Sequence, residues 1–209
     1  MDYDFTALAA SDRYRLLTNF IGPRPIALVT TRAPGGQANA APMSFFNVFG
    51  HDPAILALGI QPRASGAEKD TVANIRRTGE FVVHVVDEGL AEAMLVCGLG
   101  VDPGVDELRL AGLAEETARA VAAPRIAGAP CALECRVERI IDWPRRALIL
   151  GEVIHMAVRD DCLDPEGRYV NPQVYRPIAR LHADNYVTSD RQIELTPPRL
   201  EDVLARTRP

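Results

Sequence analysis

The stretch QPRASGAEKDTVANI, residues 61–75, places two cations, a hydroxyl and a glycine directly ahead of a segment with helical spacing. Val72 and Ile75 stand three apart and Gly79 closes the run, so a helix is expected over 70–79, capped by Asp70 or Thr71. Its first-turn N–H groups and the positive end of its dipole would face the preceding loop. Arg63 and Lys69 lie in that loop, with Ser65 and Gly66 between them. Together these groups could cradle a phosphate. An ordinary capped helix behind a solvent-exposed loop has the same composition, and both readings stand at this point.

A second candidate is NAAPMSFFNVF, residues 39–49, where Asn39, Ser44 and Asn47 interrupt apolar positions. Ala40 and Ala41 are small enough to let a flat ligand approach the backbone. Pro42 has no N–H and is expected to break the strand ladder locally, freeing neighbouring backbone groups for that ligand. A bulged edge strand facing water is the plain alternative. The third candidate is YRPIARLHADNYVTSD, residues 175–190, whose aromatic and basic side chains suit either a ligand cover or a subunit contact. There a solvated strand edge is the competing reading.

Other chemistries lack their signatures. The chain has no GxGxxG after a strand, no GxxxxGK[ST] and no GxSxG nucleophile elbow. His51, His84, His155 and His182 have no partner at metal-ligand spacing, so no metal is expected. Cys97, Cys131, Cys135 and Cys162 form no CxxC and read as buried free thiols. A net charge of −5 argues against nucleic acid or anionic membrane as partner. No apolar run reaches membrane-spanning length and the opening residues are acidic, so a cytoplasmic protein is expected.

The elements that must position these groups are mostly strands. A short helix is expected after Ser11, with Ser11 as cap and Gly22 as stop. Strands are expected at 25–31, from Ala38 onward, and at 54–60, 80–86, 131–143 and 146–159, the last two joined at Pro144-Arg145. Further helices are expected over 88–100 and 200–207, while 101–130, rich in Gly, Pro and Ala, reads as an irregular excursion. Strands that meet through short turns point to a mainly β fold with helices, an antiparallel barrel in a single domain spanning 1–209.

In order and spacing, PRPIALVTT, NAAPMSFFNVF, DPAILALGIQPR, KDTVANI and EFVVHVV resemble the flavin reductase-like, FMN-binding split-barrel family. GEVIHMAVRDDCLD and YRPIARLHADNY continue the likeness, which spans about residues 10–190. His51 and His84 depart from the usual pattern. The resemblance implies a split β-barrel that binds FMN. It implies that Asn39, Ala41, Pro42, Met43, Ser44 and Phe45 run along the isoalloxazine and ribityl chain, and that Arg63, Ser65, Lys69, Asp70 and Thr71 hold the phosphate. It further implies a homodimer, in which the partner's DNY segment could complete each site.

The chemistry implied is hydride transfer from NAD(P)H to the flavin, which needs no acid–base side chain, so no catalytic residue is named. The leading expectation is an NAD(P)H-dependent flavin reductase supplying a monooxygenase. An FMN electron carrier of the flavoredoxin kind and a non-enzymatic ligand-binding barrel remain as alternatives.

Overall fold

The computed structural model describes residues 1–201. Helix α1 (Ala10–Phe20) leads into strands β1 (Arg24–Pro25), β2 (Ala27–Arg32), β3 (Ala38–Met43), β4 (Phe46–Val48) and β5 (Ile55–Ile60). Helix α2 (Asp70–Thr78), strand β6 (Glu80–Val85) and helix α3 (Ala91–Cys97) follow, with a 3-10 turn at Glu88–Leu90 ahead of α3. The excursion carries α4 (Glu107–Leu110), β7 (Glu115–Glu116) and β8 (Arg125–Ile126). The long hairpin β9 (Cys131–Trp143) and β10 (Arg146–Val158) precedes β11 (Ala179–Arg180) and β12 (Tyr186–Val187).

The main sheet runs β3-β2-β6-β9-β10-β5-β4, antiparallel throughout. Its two edge strands, β3 and β4, are consecutive in the chain and joined only by Ser44 and Phe45. In a flat sheet six inter-strand steps of about 4.8 Å would separate them by roughly 29 Å. Three extended residues reach only about 10 Å. The sheet must therefore curl until its edges meet. They meet without pairing, which leaves an antiparallel split barrel of mainly β structure.

One core fills the barrel, with Val29, Leu58, Phe81, Val83, Cys135 and Ile149 at its centre. A second lies outside β2 and β3, where Leu28, Ala38 and Ala40 pack against Met94, Leu108 and Ile126. Burial on both faces explains why β2 reads as a continuous apolar run rather than an alternating one. Gly151 on β10 has no substitute, since a methyl there would collide with the Phe81 ring.

Several local expectations are corrected. Helix α1 is capped by the backbone of Ala9, with Ser11 inside the first turn, and it ends at Ile21 rather than Gly22. Helix α2 is capped by the backbone of Lys69, not by Asp70 or Thr71, because both of those side chains are engaged elsewhere. Gly79 ends α2 in the left-handed conformation, as its position implied. The helix expected over 88–100 splits into the 3-10 turn and α3. Of the terminal helix expected over 200–207, residues 202–207 lie outside the described residues.

Pro42 does not break the ladder. Pairing of β3 with β2 runs unbroken from Ala27↔Met43 to Arg32↔Ala38, and Leu28↔Pro42 lies within it. On this edge strand alternate residues point their N–H groups away from the sheet, and Pro42 occupies one of those outward positions.

Candidate functional site

Ala40 shares the outward phase of Pro42, and its N–H would be stranded on the sheet edge without a partner. Glu107 of α4 supplies one, its Oε2 accepting the Ala40 N–H at 3.0 Å. The Asn39 side-chain amide donates to both Glu107 oxygens at 3.0 Å. Its own carbonyl accepts from the Thr31 and Thr71 hydroxyls, each at 3.0 Å, and Asn74 donates to Thr31. All five side chains are buried. Burial raises the Glu107 pKa against the opposing effect of these hydrogen bonds. The network fixes the start of α2 against β3, and both Asn39 and Thr71 also line the cavity beside it.

The loop ahead of α2 is tied down by Arg63. Its guanidinium donates to the Val101 carbonyl at 3.0 Å and pairs with Asp70 at 3.0 Å. Asp70 thus neutralises part of the loop's charge and lies outside the cavity lining. Lys69 lines the cavity and, among the described residues, has no acidic partner within ion-pair distance. Burial, aided by the nearby Arg63 charge, lowers its pKa. No side chain caps α2, so its first N–H groups remain open. Ser65 lines the same space, its hydroxyl only weakly engaged by the Ala67 N–H at 3.4 Å.

These groups form one pole of a cavity of about 690 Å³, a size that suits a small-molecule ligand. Asn39, Ala41 and Pro42 of β3 give it a small, flat wall. The exit of α3, from Met94 to Val101, forms a second wall. Gly98 permits that approach, since a Cβ there would lie 3.3 Å from Pro42 Cγ. The third sequence candidate closes the cavity through Arg180, Asp184 and Tyr186, with the Arg180 guanidinium 5.5 Å from the Tyr186 ring centre. Arg176 is held instead by Glu88 and Asp190.

The remaining expected residues are dispersed. Met43 is buried in the barrel core. Ser44 lies half-buried in the link between the sheet edges. Phe45 faces a neighbouring chamber of about 1010 Å³, which shares the wall Pro62-Arg63-Ala64 with the first. Glu107 was missed because it is 68 positions from Asn39 and sits in the irregular excursion. A four-residue helix capped by Asp106 was its only sequence signal.

One part of the lining is cationic with open backbone N–H groups, and the β3 part sets the small side chains Ala41 and Pro42 beside Asn39. Burial holds the Cys97 thiol up at about 11, so it is no ready nucleophile. Glu107 is fully engaged by hydrogen bonds. Among the described residues, no group of three or more potential ligands could hold a metal.

Residues 22–180 match the flavin reductase like domain. An uncharacterized protein of Halalkalibacterium halodurans is 37% identical over 86% of this chain and 88% of its own length. Among solved structures, Pseudomonas fluorescens 2-nitrobenzoate 2-nitroreductase shares 34% identity at a TM-score of 0.87, covering 96% of this chain and 98% of that one. Nitrilotriacetate monooxygenase component B from Bacillus cereus shares 31% identity at a TM-score of 0.88, covering 93% and 98%. Flavoredoxin of Desulfovibrio vulgaris, at 18% identity and a TM-score of 0.74 over 93% and 97%, shares the fold. The chain belongs to the flavin reductase-like family.

Proposed function

We propose that this flavin reductase-like protein binds FMN in the cavity beside β3 and acts as an NAD(P)H-dependent flavin reductase that supplies reduced flavin to a monooxygenase. The observation that carries the reading is the pairing of Lys69 and the open N-terminus of α2 at one pole with the flat wall Asn39–Pro42 beside it. The residues present fit the group. Lys69, Arg63, Ser65 and the first N–H groups of α2 would hold the phosphate, while Ala41 and Pro42 admit a ring close to the backbone. Bound flavin supplies the chemistry by accepting a hydride from the nicotinamide and passing electrons onward.

The chain's own residues orient and enclose. Asp70 keeps Arg63 in place. Glu107 and Asn39 hold the flat wall and the start of α2 in fixed relation. Tyr186 and Arg180 cover the open side. The likeness to a monooxygenase component B supports a two-component partner. A homodimer is supported by large apolar residues exposed in the second half of α1 and just past it and at the end of β4 and just past it, namely Leu17, Phe20, Ile21, Val48 and Phe49. Among the described residues no helix is long and apolar enough to cross a membrane. A reductase fed by NAD(P)H would work in the cytoplasm, where that donor is regenerated.

The test is the absorbance spectrum of the protein reconstituted with FMN, before and after anaerobic NADH and NADPH. Bleaching by either donor, followed by steady consumption of it when excess free flavin and air are added, is expected. A protein that leaves the FMN spectrum and its own melting temperature unchanged at saturating FMN would refute the cofactor assignment.

A further inference from the structure

The second chamber lies beyond the Pro62–Ala64 wall and shares Arg63 with the first. Three aromatic residues line it, Tyr14 of α1, Phe45 of the inter-edge link and Trp143 at the end of β9. Its charged lining is entirely cationic, with Arg13, Arg63, Arg145 and Arg146 and no Asp or Glu.

These arginines differ in availability. Arg63 is committed to Asp70 and Val101, and Arg13 donates to the Phe5 carbonyl at 3.1 Å. Arg145 is exposed. Arg146 is partly buried, and its guanidinium lies 4.8 Å from the centre of the Phe45 ring. Among the described residues it pairs with no carboxylate, and burial lowers its pKa. Tyr14 meets the same ring edge-on at 6.2 Å.

Gly59 makes this stack fit. A Cβ there would stand 3.2 Å from Phe45 Cβ, crowding the ring's attachment, and would touch Arg146 Nη1 at 3.5 Å. A guanidinium resting on a ring keeps its N–H donors free at its edge, in the fork that grips a carboxylate with two parallel bonds. One partly buried, uncommitted fork beside the Phe45 ring, with the half-exposed Tyr14 and Trp143 nearby, matches one carboxylate on one ring system.

We propose that this chamber is a binding site for planar aromatic monocarboxylates, with Arg146 holding the carboxylate and Phe45, Tyr14 and Trp143 flanking the ring. Trp143 is the chain's one tryptophan, so its fluorescence reports directly on occupancy. The flavin-free protein is titrated with benzoate and with neutral benzamide, and the benzoate titration is repeated at saturating FMN. Benzoate is expected to give a saturable change at concentrations at least tenfold below benzamide. Arg146→Gln is expected to weaken benzoate roughly ten- to a hundredfold and leave benzamide unchanged, whereas Arg145→Gln should alter neither.

Equal affinity for benzoate and benzamide would overturn the proposal, as would an unaltered benzoate curve in Arg146→Gln. Competitive displacement of benzoate by FMN would also overturn it, by making the chamber part of the flavin site. If Arg146→Gln does not fold, the comparison of benzoate with benzamide on the unaltered chain decides. Failure to bind FMN at all would refute the flavin reading and leave the benzoate result standing.

Discussion

Acid should loosen this protein through one buried imidazole, His84 on β6. Its ring is fully buried, with Nδ1 at 3.1 Å from the Leu28 carbonyl and Nε2 accepting the Ile126 N–H at 3.0 Å. That pattern fixes the neutral tautomer with its proton on Nδ1, because a proton on Nε2 would point at another N–H. Desolvation pulls the pKa down to about 4 from the ordinary 6.5. In the unfolded chain the ring takes up its proton near 6.5, while in the folded protein it stays neutral until about 4. Above pH 7 neither state is charged and stability is flat. Between those two values only the unfolded state gains a proton, so stability falls as pH falls. Proton linkage at about 1.4 kcal/mol per tenfold makes the loss from pH 7 to pH 4.5 roughly 2–3 kcal/mol.

The assay is urea unfolding at both pH values, for the unaltered chain and for His84→Asn. Carboxylates also titrate over this range, so the informative quantity is the difference between the two pH dependences. Any constant cost of the substitution cancels in it. His84→Asn should lose about 2–3 kcal/mol less on acidification. Identical acid losses would refute the reasoning.

Lys69→Ala should weaken FMN by roughly 1.5–3 kcal/mol, or one to two decades in Kd, as expected for a bond to a charged group, while riboflavin, which lacks the phosphate, should be unaffected in parallel titrations. Glu107→Ala strands the Asn39 amide and the Ala40 N–H in the buried wall, and should cost about 1–3 kcal/mol in urea unfolding per group left unpartnered. Glu134 is fully buried and accepts from the Arg119 and Ala120 N–H groups and from Arg125. Glu134→Leu leaves that guanidinium without its buried partner and should destabilise the fold by about 3–5 kcal/mol, measured the same way. The four cysteines are buried free thiols, and burial raises the pKa of each. A thiol reagent at pH 8 should therefore label none in the native protein and all four after denaturation.

Local chemistry was legible in the residues themselves. The β-branched run expected at 25–31 forms β2 only from Ala27, after a break at Ile26, while the turn at Pro144-Arg145 and the Gly79 stop appear where short-range preferences put them. So does the phosphate-suited grouping of Lys69, Ser65 and Arg63, because a loop and the helix after it lie adjacent in the chain. Tertiary structure decided what those groups do with their bonds. Asp70 and Thr71 look like caps in sequence, yet Arg63 and Asn39 compete for them and win, leaving the helix end open. Pro42 looks like a break in a ladder, yet the curl of the sheet places β3 at an edge, where its missing N–H faces outward and costs no bond. Glu107 gave almost no local sign of its place in the wall, because a buried carboxylate is justified only by the donors that surround it. Those donors lie on β3, brought to α4 by the closure of the barrel. Periodicity and turn chemistry are properties of neighbours along the chain, whereas the satisfaction of a buried polar group is a property of neighbours in space.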